Sequence, residues 1–164
     1  MTRLRFLLSF AVAAFVCGGL TTAVAQKAKS SDDDVAAINA LYTQWNQALA
    51  TRGADGYVSF FVDDGAVLPP DGPAVEGKEA IRKWMQKSLA DYEIKDAKME
   101  FGPVRTSNGW AVRRFSLAAM RVPKDGGVPR YFNNKYLDVI QKQPDGQWKF
   151  VYRMWSSNEG RGER

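Results

Sequence analysis

Two absences narrow the chemistry open to this chain. It contains no histidine, and its only cysteine is Cys17, inside an N-terminal apolar stretch. The remainder therefore carries neither thiol nor imidazole. Nucleophilic dyads of the Cys–His or Ser–His kind are excluded, as is a zinc site of ordinary Cys/His composition. Acid–base work would fall to Asp, Glu, Tyr or Lys, and no cofactor or metal is implied. Asp63 and Asp64 stand side by side and could act as an acid–base dyad. They precede Gly65, however, and Asp favours tight chain reversals, so the pair reads as a helix-ending turn. Glu76, beside Gly77, is the carboxylate near the following turn that could face inward.

The elements that must position such groups fall into two blocks. Asp32-Asp33-Asp34 offers capping oxygens and negative charge to a helix start. Val35, Ile38, Tyr42, Trp45 and Leu49 then recur at helical spacing as one apolar stripe, and Arg52-Gly53 closes the helix. Asp55 opens a second, short helix carrying Tyr57, Val58, Phe60 and Phe61 and ending at Asp64-Gly65. A short strand and the turn Pro69-Pro70-Asp71-Gly72 follow. A third helix starts near Lys78, with Ile81, Trp84, Met85 and Leu89 on its buried side. From Lys98 the period becomes two. Asn108-Gly109 marks a hairpin between strands ending near Thr106 and starting at Trp110. Asp125-Gly126-Gly127 and Pro144-Asp145-Gly146 mark two more turns. Helices first and an antiparallel meander second predict an α+β fold, three helices packed on a curved, mostly antiparallel sheet.

The N-terminus reads as an export signal. Arg3 and Arg5 form a positive n-region, Phe6 to Val16 an apolar h-region, and Ala23-Val24-Ala25 a small-x-small cleavage site. Gly18-Gly19 and Thr21-Thr22 break the apolar run, leaving it too short to span a bilayer, so no stable membrane anchor is expected. Ala14-Phe15-Val16 before Cys17 lacks the pattern of a lipidation site. Residues 1–25 are thus expected to be removed, 26–31 to form a linker, 32–158 one domain and 159–164 a flexible tail, with the mature protein periplasmic or secreted. The formal charge of +5 includes Arg3 and Arg5, and no Lys/Arg block occurs, so a nucleic-acid partner is not implied.

Segments of this kind, namely Ala48-Leu49 to Asp55, Phe61-Val-Asp-Asp, Val67-Leu-Pro-Pro-Asp-Gly-Pro, Glu76-Gly-Lys-Glu-Ala-Ile, Asp145-Gly-Gln-Trp-Lys and Trp155-Ser-Ser-Asn158, make the chain resemble the SnoaL-like branch of the cystatin-like α+β cones. That superfamily also holds nuclear transport factor 2 and the steroid Δ-isomerases. The resemblance spans about Val35 to Asn158 and implies a curved sheet wrapped around a helix, enclosing a pocket open at one end. It does not by itself imply an activity, because unrelated functions share the fold.

Steroid isomerases use an Asp general base and an oxyanion hole made of a Tyr and a protonated Asp. On the resemblance, the base position falls on Pro69, which cannot titrate. The phenol position falls on Trp45, and only the second oxyanion position is kept, as Asp138. Asp138 then has two readings: a buried acid donating to a ligand oxygen, or a strand carboxylate paired with Arg114 or Arg153, the latter preferred because opposite charge keeps it ionised. The resemblance puts Arg114 and Arg153 on the concave face, where related sequences commonly carry an acid at the Arg153 position. Strand alternation argues otherwise. Trp148, Phe150 and Tyr152 form the more apolar face, so Arg153 would point away unless a bulge intervenes. The implied pocket wall is Trp45, Phe61, Leu68, Pro69, Met85 and Trp155, with Arg114, Asp138 and Arg153 as polar anchors. It would take a small, partly apolar ligand, anionic and aromatic if both arginines face it. Two further readings stay open: an isomerase, lyase or hydrolase-like enzyme using Asp138 with Tyr136 or Glu76, and a homodimeric interaction module built on the exposed sheet face.

Overall fold

The computed structural model describes residues 19–159, with side chains from Asp32 onward. Residues 1–18, which hold most of the expected export signal, and 160–164, most of the expected tail, lie outside the described residues. Helix α1 spans Gly19–Val58, so the stretch read as a linker, 26–31, is helical. Its Gln, Lys and Ala are good helix formers, and neither Gly nor Pro occurs between Gln26 and Asp32. The chain bends at Gly53, whose φ of 57° and ψ of −132° suit a residue without Cβ. Past the bend, Gly56 lies so close to the preceding turn that a Cβ there would sit 1.9 Å from the Ala48 carbonyl oxygen.

Among the described residues two helices form, not the three expected. The anticipated second helix survives only as the end of α1, and strand β1, Phe61–Leu68, takes its remaining residues. The reason is tertiary. β1 runs parallel to β6, Trp148–Ser157, which satisfies its backbone and buries Phe61, Val62 and Val67. Asp63 and Asp64 are exposed where this pairing shifts register. Lys78 donates to Asp63 at 2.7 Å, and that bond together with the ammonium charge holds the Asp63 carboxyl below its usual value. The helix-ending turn expected of this pair does not form; both residues sit within a strand. A short β2, Val75–Glu76, leads to α2, Lys78–Asp91.

Three more strands complete an open, mixed sheet: β3 Tyr92–Ser107, β4 Trp110–Pro123 and β5 Arg130–Lys142. The spatial order is β2-β1-β6-β5-β4-β3. Asn108 and Gly109, with φ of 49° and 77°, make the expected tight hairpin; two successive left-handed residues match the twist of the flanking strands. Both helices cover one sheet face. Tyr42 and Trp45 of α1 pack edge-on against Phe150 of β6, with ring centroids 5.4 and 5.9 Å apart, and Tyr57 stacks on Phe61 at 5.4 Å. No helix among the described residues is long and apolar enough to cross a membrane.

Candidate functional site

The pairing of β4, β5 and β6 sets Arg113, Asp138 and Arg153 side by side on the helix-covered face. Asp138 is there because β5 alternates, with Asp138 and Ile140 inward and Leu137 outward. Arg153 is there because the β5–β6 register slips at Val151: Ile140 pairs with Phe150 but Val139 with Tyr152. The extra residue reverses the inward and outward sense of the strand. Trp148 and Phe150 face the core before the slip and Arg153 after it, while Tyr152 is exposed. The expected alternation holds for Trp148 and Phe150 but not for Tyr152, and the bulge between them is what places Arg153 inward.

Asp138 is fully buried and accepts three hydrogen bonds. Arg153 donates from Nε to Oδ1 at 2.9 Å and from Nη2 to Oδ2 at 2.7 Å. The Tyr42 hydroxyl, reaching down from α1, donates to Oδ2 at 2.7 Å. The Arg153 guanidinium lies 4.1 Å from the Trp45 ring centroid and 4.5 Å from that of Phe150. Burial alone would lower the Arg153 pKa, but the Asp138 charge and its hydrogen bonds outweigh it and the net shift is upward. Burial, reinforced by the Asp138 charge, drives the Tyr42 phenol far above its ordinary value. The arrangement is a desolvated ion pair closed by a neutral phenol. A carboxylate so placed is an acceptor; every donor it meets belongs to the protein.

Arg113 is the third member. It is buried, its Nε donates to the Gly102 carbonyl at 3.3 Å, and its guanidinium sits 4.2 and 4.7 Å from the Phe101 and Tyr42 ring centroids. Burial pulls its pKa down, opposed by Tyr42 and Asp138. Among the described residues it forms no ion pair. The next row of the same face is aromatic. Phe101, Phe115, Tyr136 and Trp155 are direct cross-strand neighbours. Phe115 stacks on Tyr136 at 4.5 Å, Tyr136 on Trp155 at 5.7 Å, and Trp84 of α2 lies 5.8 Å from Trp155.

The expected site residues therefore separate. Trp45, Phe61 and Met85 are core, and the Trp45 Nε1 is buried without a hydrogen-bond partner. Asp138 and Arg153 are joined as a pair. Tyr136 and Trp155 are half-buried in the aromatic row. Leu68 and Pro69 are half-buried at the end of β1, and Glu76 is exposed. Arg114 is a correction: it is exposed on the helix-free face, and Arg113 occupies the interior instead. Arg113 and Tyr42 were the residues missed. Tyr42 had been legible as core, but its reach to Asp138 depends on where α1 crosses the sheet. Arg113 could have been found from Ala111 and Phe115, which share its face.

Two hollows among the described residues bear on the site. One, of about 670 Å³, is lined by Glu100, Arg114, Lys135, Leu137 and Met154 together with Phe101, Phe115, Tyr136 and Trp155 of the aromatic row. The other, of about 710 Å³, lies at the far end of the sheet beside the C-terminus of α2, among Tyr92, Arg121, Lys124, Val128 and Arg130. Of the expected site residues, Arg114, Tyr136 and Trp155 line the first hollow, and Trp45, Phe61, Leu68, Pro69, Met85, Asp138 and Arg153 line neither.

The same fold recurs in proteins of distant sequence. A ketosteroid isomerase-like protein from Erwinia carotovora atroseptica superposes with a TM-score of 0.70 at 22% identity, covering 77% of this chain and 98% of that one. A nuclear transport factor 2-like protein with a cystatin-like fold from Novosphingobium aromaticivorans gives 0.62 at 18% identity, covering 88% and 94%. A protein from Catenulispora acidiphila in complex with S-DNPA gives 0.60 at 17%, covering 75% and 92%. At these identities the likeness establishes the fold. No curated protein matches the sequence. The SnoaL-like domain family matches residues 31–154, and the chain belongs to that family.

Proposed function

We propose that this chain is an exported protein that binds a small, partly apolar molecule and does not isomerise steroids by the base-and-oxyanion route. The observation that carries the reading is the state of Asp138. Both of its oxygens accept hydrogen bonds from Arg153 and Tyr42, so the residue at the retained oxyanion position is tied to the protein's own donors. Pro69, at the position of the general base, cannot titrate. What remains on the helix-covered face is the stacked row Phe115–Tyr136–Trp155 with Trp84 beside it. A π-rich surface of this kind suits a flat or apolar ligand. That a fold relative was obtained in complex with S-DNPA supports small-molecule binding by this architecture. Export rests on Arg3, Arg5, the apolar run Phe6 to Val16 and Ala23-Val24-Ala25. Native mass spectrometry of protein purified from its own host tests both parts. The expected species begins at Gln26 and carries a non-covalent small molecule. An intact Met1 would remove export, and a bare chain with no response to any aromatic ligand would remove the binding reading.

A homodimer is the second reading, favoured by the helix-free face. Val112 and Val139 pair there next to Tyr152, and Leu137 next to Met154. Val112, Leu137, Tyr152 and Met154 are each between 38% and 47% exposed. Contiguous exposed apolar side chains mark association surfaces. Sedimentation equilibrium is expected to show a dimer that Leu137→Glu dissociates; a monomer at every concentration would exclude it.

A further inference from the structure

The hollow at the end of the sheet has features that neither reading above uses. Arg121 of β4 and Arg130 of β5 are direct cross-strand neighbours. Like charges so placed repel, and among the described residues neither forms an ion pair. The Arg121 guanidinium is held over two rings, 5.2 Å from the centroid of Tyr92 and 5.4 Å from that of Phe132. The other charges here are already engaged. Lys124 donates from Nζ to the Leu89 carbonyl at 2.7 Å. Asp91 is paired with Lys87 at 2.9 Å, and Asp125 accepts the Gly127 amide at 3.0 Å. Two arginines thus remain, facing one hollow of about 710 Å³, a volume within the range of small-molecule sites. Ala90, Tyr92 and the 79% exposed Val128 give it an apolar wall.

We propose that this hollow is a binding site for an organic carboxylate, its two oxygens bridging Arg121 and Arg130 and its apolar body lying against Tyr92 and Val128. Guanidinium forks match a carboxylate in geometry as well as in charge. An anion between them would turn the cross-strand repulsion into two attractions, and the stacking of Arg121 on aromatic rings fixes one donor beforehand. The site is independent of the aromatic row. Six residues separate Arg130 from Tyr136 along β5, about 20 Å at strand rise.

The full mature chain, titrated with benzoate, benzamide and inorganic phosphate and followed by amide chemical shifts, tests the assignment. Benzoate is expected to shift Arg121, Gly127 and Arg130 and to bind at least about tenfold more tightly than benzamide. Phosphate should bind more weakly than benzoate, lacking the apolar body. Raising the ionic strength should weaken benzoate binding, because the two cations are exposed. Arg130→Gln should abolish these shifts while leaving the fold intact; it relieves the repulsion, so its Tm without ligand should equal or exceed that of the wild type, and benzoate should raise only the wild-type Tm. Equal affinity for benzoate and benzamide, phosphate binding as tight as benzoate, or unaltered benzoate binding by Arg130→Gln would each overturn the proposal. Shifts confined to Phe115, Tyr136 and Trp155 would also overturn it, while leaving the binding reading of the aromatic row in place.

Discussion

Arg153 and Asp138 meet in a two-point ion pair, at 2.9 and 2.7 Å, only because one extra residue on β6 turns Arg153 inward. With relative exposures of 2% and 0%, the pair has exchanged water for each other, for Tyr42 and for the rings of Trp45 and Phe150. Desolvating two ions roughly cancels their attraction, so the intact pair specifies the arrangement more than it stabilises it.

Removing one partner is a different matter. Asp138→Asn or Arg153→Met leaves the other charge buried and is expected to lower unfolding free energy by about 3–5 kcal/mol. The double variant should recover part of the loss. Urea denaturation of the four proteins measures this as a coupling free energy; two single losses that simply add would show that the residues do not act as a pair.

The two neighbouring arginines of β4 should behave unequally. Arg114 is exposed, so Arg114→Ala should change stability by no more than about 0.5 kcal/mol, as at ordinary surface positions. Arg113 fills space between Tyr42 and Phe101, and Arg113→Ala removes that packing, at about 1–3 kcal/mol. Equal midpoints for the two variants would refute the assignment of faces.

How far the sequence showed this in advance depended on how local each determinant was. Asn108-Gly109 announced its hairpin because left-handed turn chemistry resides in two adjacent residues. Asp138 was correctly paired with an arginine because charge is legible without register. The identities of the inward arginines were not. A slip of one residue at Val151 inverts a strand, and the choice between Arg113 and Arg114 has the same period-two ambiguity. Phe61 to Gly65, the first part of β1, read as helix end because their strand character comes from β6, some ninety residues later.

Alkali should unfold the protein through its tyrosines. Burial raises the pKa of Tyr42, Tyr57 and Tyr136 above the ordinary value, which is about 10. Below pH 10 both states hold these protons and stability does not vary on their account. Above it the unfolded chain releases them first, so stability falls with rising pH, by at most about 1.4 kcal/mol per pH unit for each tyrosine. Tyr42→Phe should reduce that slope. It should also cost about 1–3 kcal/mol at neutral pH, by removing a donor from Asp138. Denaturant midpoints between pH 8 and 11.5 give the slope, and a flat profile would contradict the buried, protonated phenols.

The last expectation concerns catalysis. An isomerase of the steroid type needs a base to remove a proton and two acidic donors to hold the enolate oxygen. On the family resemblance the base position falls on Pro69, and general base catalysis alone supplies about 10²–10⁴-fold. The phenol position falls, on the same resemblance, on Trp45, whose indole is a weaker acid and lies under the Arg153 guanidinium. The third group, Asp138, is occupied by Arg153 and Tyr42. If the resemblance places the three positions as above, all three contributions are missing, and a Δ5-3-ketosteroid is expected to isomerise no faster than in buffer. Pro69→Asp returns a base at the half-buried end of β1 but no donor, and should stay within about 10²–10⁴-fold of background, the share of a base acting alone. A wild-type turnover of about 1 s⁻¹ or more, in the ordinary enzyme range, would mean that a carboxylate other than Asp138 removes the proton; Glu76, exposed on β2, would be the first to replace.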